Sequence, residues 1–336
     1  MRGKWITGSV MALFVGSAGI LYLENRQNNK VTKPLVVMSY ASFIASWGPG
    51  PELAKRFEAK TGTPVQFVQA DDAGILLQRL RLVSADVVLG LDQSVLTGAR
   101  SEMSWLPHSA KVDFPHDDFF VPIDWAPVGF VYRDGELTPP SSLDDLRHER
   151  FKHRIALEDP RTSAPGFQFL SWIARGRTDV ELKTWIRQMH PGIQSVSPSW
   201  SQAYGLFTRG TAKLVLSYMT SPLYHQLIER DERYRFALFS GGHAVHVEFA
   251  GILAKCVSCD QAREFLQFLL LAENQKLIME KNWMLPVVEL PATEDLGPFR
   301  KVLEAARYLK PKDMATLEVS TADRERLLKL WSEAAP

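Results

Sequence analysis

The segment S-V-S-P-S-W-S-Q-A-Y-G-L-F-T-R-G-T-A-K-L-V-L-S-Y-M-T-S-P-L-Y-H, residues 195–225, contains the pattern that decides the fold. It predicts a helix at 200–208 and, after a glycine, a buried strand at 212–217 with a continuous apolar run. Aromatic residues with a polar atom stand at the ends of these elements: Trp200, Tyr218 and Tyr224. Such aromatics suit a flat or cationic organic ligand, although ordinary packing is the commoner reason for them.

Before this segment, apolar runs alternate with amphipathic ones. Strands predicted at 35–40, 65–68 and 86–91 alternate with helices predicted at 52–60 and 74–83. This order predicts an α/β lobe with a parallel sheet, and such sheets bind ligands beyond the carboxyl ends of their strands. The polar residues that end or follow these strands are Tyr40, Asp72 and Asp92.

A second α/β pattern follows an extended segment at 119–133, whose prolines and glycine suit a crossing between lobes. A further strand at 245–253 is expected to cross back. The sequence therefore predicts two α/β lobes joined by a hinge, with a ligand cleft between them. The predicted division is lobe 1 at 34–123 plus 238–290, and lobe 2 at 124–237 plus 291–336.

Composition excludes some functions. The 336 residues suffice for two cores, and 39 basic against 38 acidic residues leave no basic stripe for nucleic acid. At the N-terminus, a basic leader and an apolar run predict a signal peptide or an uncleaved membrane anchor within residues 1–30. In an oxidising compartment, Cys256 and Cys259 favour a local disulfide over half of a zinc site.

Six motifs make the chain similar, from about residue 35 to 287, to the periplasmic thiamine-binding proteins of bacterial ABC importers. They are S-Y-A-S-F-I-A-S-W-G-P-G-P (39–51), A-D-V-V-L-G-L-D (85–92), E-D-P-R-T-S-A-P-G (158–166), W-S-Q-A-Y-G-L-F (200–207), L-V-L-S-Y-M-T-S-P-L-Y-H (214–225) and N-W-M-L-P-V (282–287). The resemblance implies a type II periplasmic binding protein fold. It also implies capture of thiamine, or of its monophosphate or diphosphate, without catalysis, cofactor or metal. The expected partner is an inner-membrane ABC permease with its ATPase, and the expected location is the periplasm, either free after cleavage of the leader or tethered to the inner membrane by an uncleaved one.

The same resemblance implies particular ligand contacts. Asp72 would pair with the aminopyrimidine ring, and Ser163 and Ala164 would lie near the hydroxyethyl or phosphate end. The implied aromatic walls are Tyr40, Trp200, Tyr218, Tyr224 and Trp283. The further implied contacts are Ala73, Met219, Thr220 and Ser221. Two positions depart from the family pattern: Ala41 stands in place of an acidic residue and Ala73 in place of a glycine.

The chemistry of thiamine agrees with these residue types. Its thiazolium ring carries a permanent charge without an N–H, so aromatic faces hold it, at about 0.5–2 kcal/mol each. Its aminopyrimidine offers an amino group to a carboxylate, a hydrogen bond worth about 1.5–3 kcal/mol. The residues alone leave other roles open. Asp72 could be a helix N-cap, Ser163 a turn residue and Trp283 an apolar plug at a helix end.

Two alternatives share the same fold. One is a binding protein for another cationic solute or a metal, and the other is an enzyme acting on thiamine or pyrimidines. Such an enzyme needs a nucleophile in the cleft, and the two cysteines lie after the return strand. His225 has no Ser or Cys partner in the sequence, so the chain is predicted not to be an enzyme.

Overall fold

The structure is a computed structural model that describes residues 33–70 and 72–335. The predicted signal or anchor segment, residues 1–30, lies outside the described residues. Within the described range, none of the helices has the length and apolar character needed to cross a bilayer.

The strands of the described range form one mixed sheet. They are β1 Leu35–Tyr40, β2 Val65–Ala70, β3 Val87–Asp92, β4 Trp105–Leu106, β5 Phe120–Arg133, β6 Ile155–Glu158, β7 Ile193–Ser197, β8 Leu214–Tyr218, β9 Tyr234–Ala237, β10 Ala244–Leu253 and β11 Leu285–Pro286. Across the sheet the order is β2-β1-β3-β10-β5-β8-β6-β7, with β4 on β10 and both β9 and β11 on β5. Parallel pairs at the two ends, β1 with β2 and β3, and β6 with β7 and β8, flank antiparallel strands in the centre.

Helices cover the sheet and carry parts of the later site. They are α1 Ala41–Ile44, α2 Gly50–Thr61, α3 Leu76–Leu80, α4 Leu96–Glu102, α5 Ala164–Ala174, α6 Asp179–Met189, α7 Trp200–Thr208, α8 Ser221–Tyr224, α9 Cys259–Leu269, α10 Ala272–Asn282, α11 Phe299–Ala306 and α12 Thr321–Ala334. A disulfide joins Cys256 to Cys259, the first residue of α9, as the sequence predicted.

Strands β5 and β10 pass through two hydrophobic cores. The first core holds residues of β1, β3 and β5 up to Trp125, and the second begins on β5 at Val128. On β10, Ala244 packs in the second core and Val247 in the first. The two long crossings are therefore confirmed, and so is the α/β fold. Where each lobe begins and ends stays a prediction: in the C-terminal segment, Leu317 packs in the first core and Leu327 in the second.

Two local predictions differ from the structure. Residues 74–83, predicted as one helix, form a 3-10 turn at Ala73–Ile75 followed by the short α3. Strand β7 was missed because I-Q-S-V-S has few apolar residues. It lies at one end of the strand order, where pairing on one side lets polar side chains face solvent.

Candidate functional site

A cavity of about 730 Å³ lies between elements of the two cores. Eight of the ligand residues predicted from the sequence line it: Tyr40, Asp72, Ala73, Trp200, Tyr218, Ser221, Tyr224 and Trp283. The other acidic residues on its wall are Glu229, Glu248 and Glu280, and its basic residues are Lys281 and His225. The lining is thus aromatic and acidic, which favours a cation over an anion.

Tyr40 reaches the cavity from the end of β1. Its hydroxyl donates to Oε2 of Glu248 at 2.7 Å and accepts from the Asn282 amide at 2.8 Å. Its ring packs over Gly90, where an added Cβ would lie 2.5 Å from the ring carbons. Burial, followed by the Glu248 charge, raises the pKa of Tyr40 well above its usual range. Tyr40 is therefore a neutral phenol held in one orientation.

Trp200 is the first residue of α7, and serines orient its ring. The indole N–H donates to Ser217 Oγ at 2.9 Å, and Ser217 Oγ is 2.7 Å from Ser221 Oγ. The backbone N–H of Tyr218 also donates to Ser221 Oγ, at 3.3 Å. Ser221 therefore connects two aromatic walls of the cavity as well as lining it.

Behind Trp200 lies an aromatic stack that ends at a buried arginine. The aromatic stack consists of four rings, those of Trp200, Tyr204, His225 and Tyr234, and of the Arg133 guanidinium that covers Tyr234. Nδ1 of His225 lies 2.6 Å from the Glu229 carboxylate, which only accepts, so Nε2 accepts the Tyr204 hydroxyl at 2.9 Å. Burial lowers the pKa of His225. A neutral histidine thus links the stack through both ring nitrogens.

Trp283 ends α10 with φ 57°, a left-handed conformation that is uncommon for a side chain of this size. The Thr220 hydroxyl donates to the Trp283 carbonyl, and the Phe299 ring stacks on the indole with centroids 5.7 Å apart. Tyr224 meets Trp283 edge to face at 5.4 Å. Thr220, predicted as a ligand contact, is absent from the lining and instead supports Trp283.

The Asp72 carboxylate is held from both sides of the cavity. Oδ1 accepts from the N–H of Gly74 at 3.2 Å and of Ala164 at 3.4 Å. Oδ2 accepts from the N–H of Trp200 at 3.2 Å and from the Ser163 hydroxyl at 3.4 Å. The first residues of α5 and α7 thus direct their N–H groups at one carboxylate, a favourable place for a negative charge.

Burial nevertheless raises the pKa of Asp72 to about 6, because desolvation outweighs these hydrogen bonds and the attraction of His246. Glu158, fully buried at the end of β6, has a pKa raised well above its usual range by burial and then by the Asp72 charge. The N-cap alternative for Asp72 also holds locally, because its side chain caps the 3-10 turn.

Four predicted residues lie outside the lining. Ser163 and Ala164 contact Asp72, as described, and Thr220 supports Trp283. Met219 is buried in the first core, and its N–H donates to the Pro127 carbonyl at 2.9 Å. Their direct contact with a ligand stays a prediction.

Glu248 was not predicted as a site residue; on β10 it lies opposite Asp124 of β5, which the sequence suggests as a hinge residue or a residue behind the site. Both are almost completely buried, and Glu248 lines the cavity. A signal was present: His246 and Glu248 alternate with apolar residues on a strand otherwise buried throughout. Polar side chains on one face of such a strand indicate a site.

Comparisons with known proteins identify the family. The family model described as bacterial extracellular solute-binding protein matches residues 35–283. The chain belongs to this solute-binding protein family. A thiamine-binding periplasmic protein of Escherichia coli K12 is 37% identical over 313 residues, which cover 89% of this chain and 93% of that protein. One of Brucella abortus is 35% identical over 308 residues, covering 88% and 89%.

Solved structures agree with this family assignment. A periplasmic thiamin binding protein superposes on this solute-binding protein with a TM-score of 0.79 at 34% identity, covering 90% of this chain and 96% of the other. A ferric binding protein from Campylobacter jejuni gives a TM-score of 0.67 at 21% identity, covering 89% and 99%, and supports the fold alone. The neighbours are type II periplasmic binding proteins, as the sequence predicted for this chain.

The close contact at Gly74 can be tested directly. A Cβ at Gly74 would lie 2.4 Å from the Thr162 carbonyl oxygen, so Gly74→Ala should force the 3-10 turn away from the loop that carries Ser163. We expect the free energy of unfolding to fall by about 1–3 kcal/mol, as in other overpacked sites, measured by denaturant titration.

Gly98→Ala is the matched control, because Gly98 lies within α4 and its nearest neighbours to a new Cβ are 3.7 Å away. It should be neutral or stabilising by up to about 1 kcal/mol. Equal stability of the two variants would contradict the tight contact at Gly74.

Proposed function

We propose that the protein captures thiamine in the periplasm, with thiamine monophosphate and diphosphate as further ligands, and delivers it to an inner-membrane ABC permease with its ATPase. In this proposal the two lobes close over the ligand without chemical turnover. The observation that carries it is the cavity wall, where the rings of Trp200, Tyr218, Tyr224 and Trp283 surround a space with buried acids nearby.

The electrostatics of the wall favour a permanent cation. A thiazolium ring has no N–H to donate, so it gains most from aromatic faces and from nearby negative charge. Asp72 and Glu248 place carboxyl groups at the cavity, and Lys281 is the one Lys or Arg on the described wall. For the phosphorylated forms, Lys281 is the natural partner of the phosphate.

The size of the cavity is also suitable. A volume of about 730 Å³ falls within the roughly 300–1,000 Å³ typical of small-molecule sites. The thiamine-binding names of the relatives support this choice of ligand, and their periplasmic names support export of this chain. The permease partner follows from the manner in which such binding proteins work.

The alternatives gain no support from a particular observation. The relatives are named as binding proteins, not as enzymes. In the part of the chain that the structure describes, no group of three or more His, Cys, Asp or Glu residues is arranged to hold a metal ion.

Isothermal titration of the purified protein with thiamine and its two phosphates tests the proposal. We expect a dissociation constant of micromolar or below for at least one of the three. Trp200→Ala should weaken binding by about tenfold or more, since an aromatic face and its stacking are lost. Trp200→Phe keeps a ring but loses the bond to Ser217, so its loss should be smaller. Absence of heat with all three compounds would reject thiamine as the ligand.

Acidification should weaken binding through Asp72. The pKa of Asp72 in the folded protein is about 6, so its carboxylate is charged above that pH and becomes neutral below it. A neutral Asp72 neither attracts a cation nor accepts the N–H groups of α5 and α7 as strongly. Affinity should therefore be constant well above pH 6, begin to fall as the pH approaches 6, and fall by up to about tenfold per pH unit below it.

Asp72→Asn checks this assignment. At pH 7.5 it should weaken binding by about 2 kcal/mol, the scale of a buried charged hydrogen bond. Between pH 5 and 7, the affinity of this variant should also change less with pH than that of the wild-type protein. Since the ligand is the same, any titration of the ligand cancels in the comparison. Identical slopes for the two proteins would remove Asp72 as the titrating group.

A further inference from the structure

The acceptor capacity of Asp72 is already used within the protein. A carboxylate offers about four lone-pair positions, and Asp72 receives four donors: three backbone N–H groups and the Ser163 hydroxyl. A ligand amino group would have to displace one of them. The geometry of Asp72 is therefore that of a contact joining the two sides of the cavity.

Glu248, in contrast, receives fewer hydrogen-bond donors than its carboxylate can accept. It is 4% exposed, lines the cavity, and receives only two donors. The Tyr40 hydroxyl donates to Oε2 at 2.7 Å, and His246 Nε2 lies 3.4 Å from Oε1, a long contact. About half of its lone-pair positions thus remain for another donor.

A hydrogen-bond network holds Glu248 in place. The Asn282 amide donates to the Tyr40 oxygen and to Oδ2 of Asp124, both at 2.8 Å. Asn282 directly precedes Trp283, so the same residue connects the acidic floor of the cavity with one aromatic wall. The side chains of Glu248 and Tyr40, which could otherwise rotate, are thereby held in place relative to Trp283.

Two acids lie close together at this point, and the basic side chain that contacts one of them within the described residues is His246. Asp124 lies directly opposite Glu248 in the antiparallel register, and neither forms an ion pair with a Lys or Arg that the structure describes. Burial, and then the Glu248 charge, raises the pKa of Asp124 well above its usual range, so a neutral Asp124 is favoured. A buried carboxylate with only a long contact to a histidine and no Lys or Arg partner is costly, and a ligand N–H near a cationic ring would offset that cost.

We propose that Glu248 determines ring specificity, its carboxylate accepting a hydrogen bond from the 4-amino group of the aminopyrimidine while Asp72 holds the cleft together. This rests on the proposed binding of thiamine. It assigns the recognition of the amino group to a residue of the return strand β10. In this proposal Asp72 is necessary for affinity but does not discriminate between substituents at position 4 of the pyrimidine ring.

The test compares thiamine with its 4-oxo analogue, in which a carbonyl replaces the amino group. In the wild-type protein the carbonyl faces the Glu248 carboxylate, two acceptors together, so thiamine should bind at least about a hundredfold more tightly. Glu248→Gln offers an amide N–H to the carbonyl, so the preference should fall by at least about tenfold or reverse. Asp72→Asn should weaken both ligands by a similar factor and keep the preference.

Glu158→Gln is the matched control, because Glu158 is an equally buried acid that does not line the cavity. It should keep the wild-type preference. A thermal melt of each variant shows that it is folded, and the ratio of two affinities in one protein cancels a loss of active material. The inference is overturned if Glu248→Gln keeps the wild-type ratio, or if Asp72→Asn alone abolishes it. Wild-type protein that binds neither compound would overturn the proposed function itself.

Discussion

The antiparallel pairing of β5 with β10 is the constraint on which the rest of the molecule depends. These two strands are the ones that contribute to both hydrophobic cores, so their register decides which side chains meet at the junction. That register sets Glu248 opposite Asp124 and Val247 opposite Trp125. A slip by one residue would turn every side chain to the other face of the sheet, and Glu248 would leave the cavity wall. Apolar packing in the two cores thus fixes a register that keeps two acidic side chains buried, although burial disfavours their charged forms.

The acidic groups at and near the cavity are poorly solvated, and some of them have few hydrogen-bond partners. Asp72 is stabilised by the starts of α5 and α7, yet burial still raises its pKa to about 6. Asp124 and Glu158 are buried more deeply, and their pKa values are raised further above the usual range. Strain is present as well, because Trp283 is held with a left-handed backbone by Thr220 and Phe299. Such arrangements reduce stability, and they are typical of sites prepared for a ligand of opposite charge.

Much of this architecture could be predicted from the sequence, for physical reasons that differ between elements. Strands such as β1 and β3 are buried on both faces, so their apolar runs are unmistakable, and Gly62 and Gly210 end helices where a left-handed residue is needed. The aromatic walls were recognised because their residues lie at element ends within long motifs. The role of Ser163 and Thr220 as supports could not be predicted, because it depends on which loops approach each other after folding. Glu248 was missed for a related reason: its partner Tyr40, and Asn282 that donates to Tyr40, are distant from it in the chain, and only the folded sheet brings them together.

The aromatic stack behind Trp200 has a consequence for how such a protein diverges. Its rings run from the cavity wall to Tyr234 and Arg133, which do not line the cavity. A substitution at the far end can tilt the whole column and reshape the pocket while every pocket residue is retained. Natural selection therefore has remote positions at which to tune the choice of nutrient, and two homologues with the same wall residues need not prefer the same molecule.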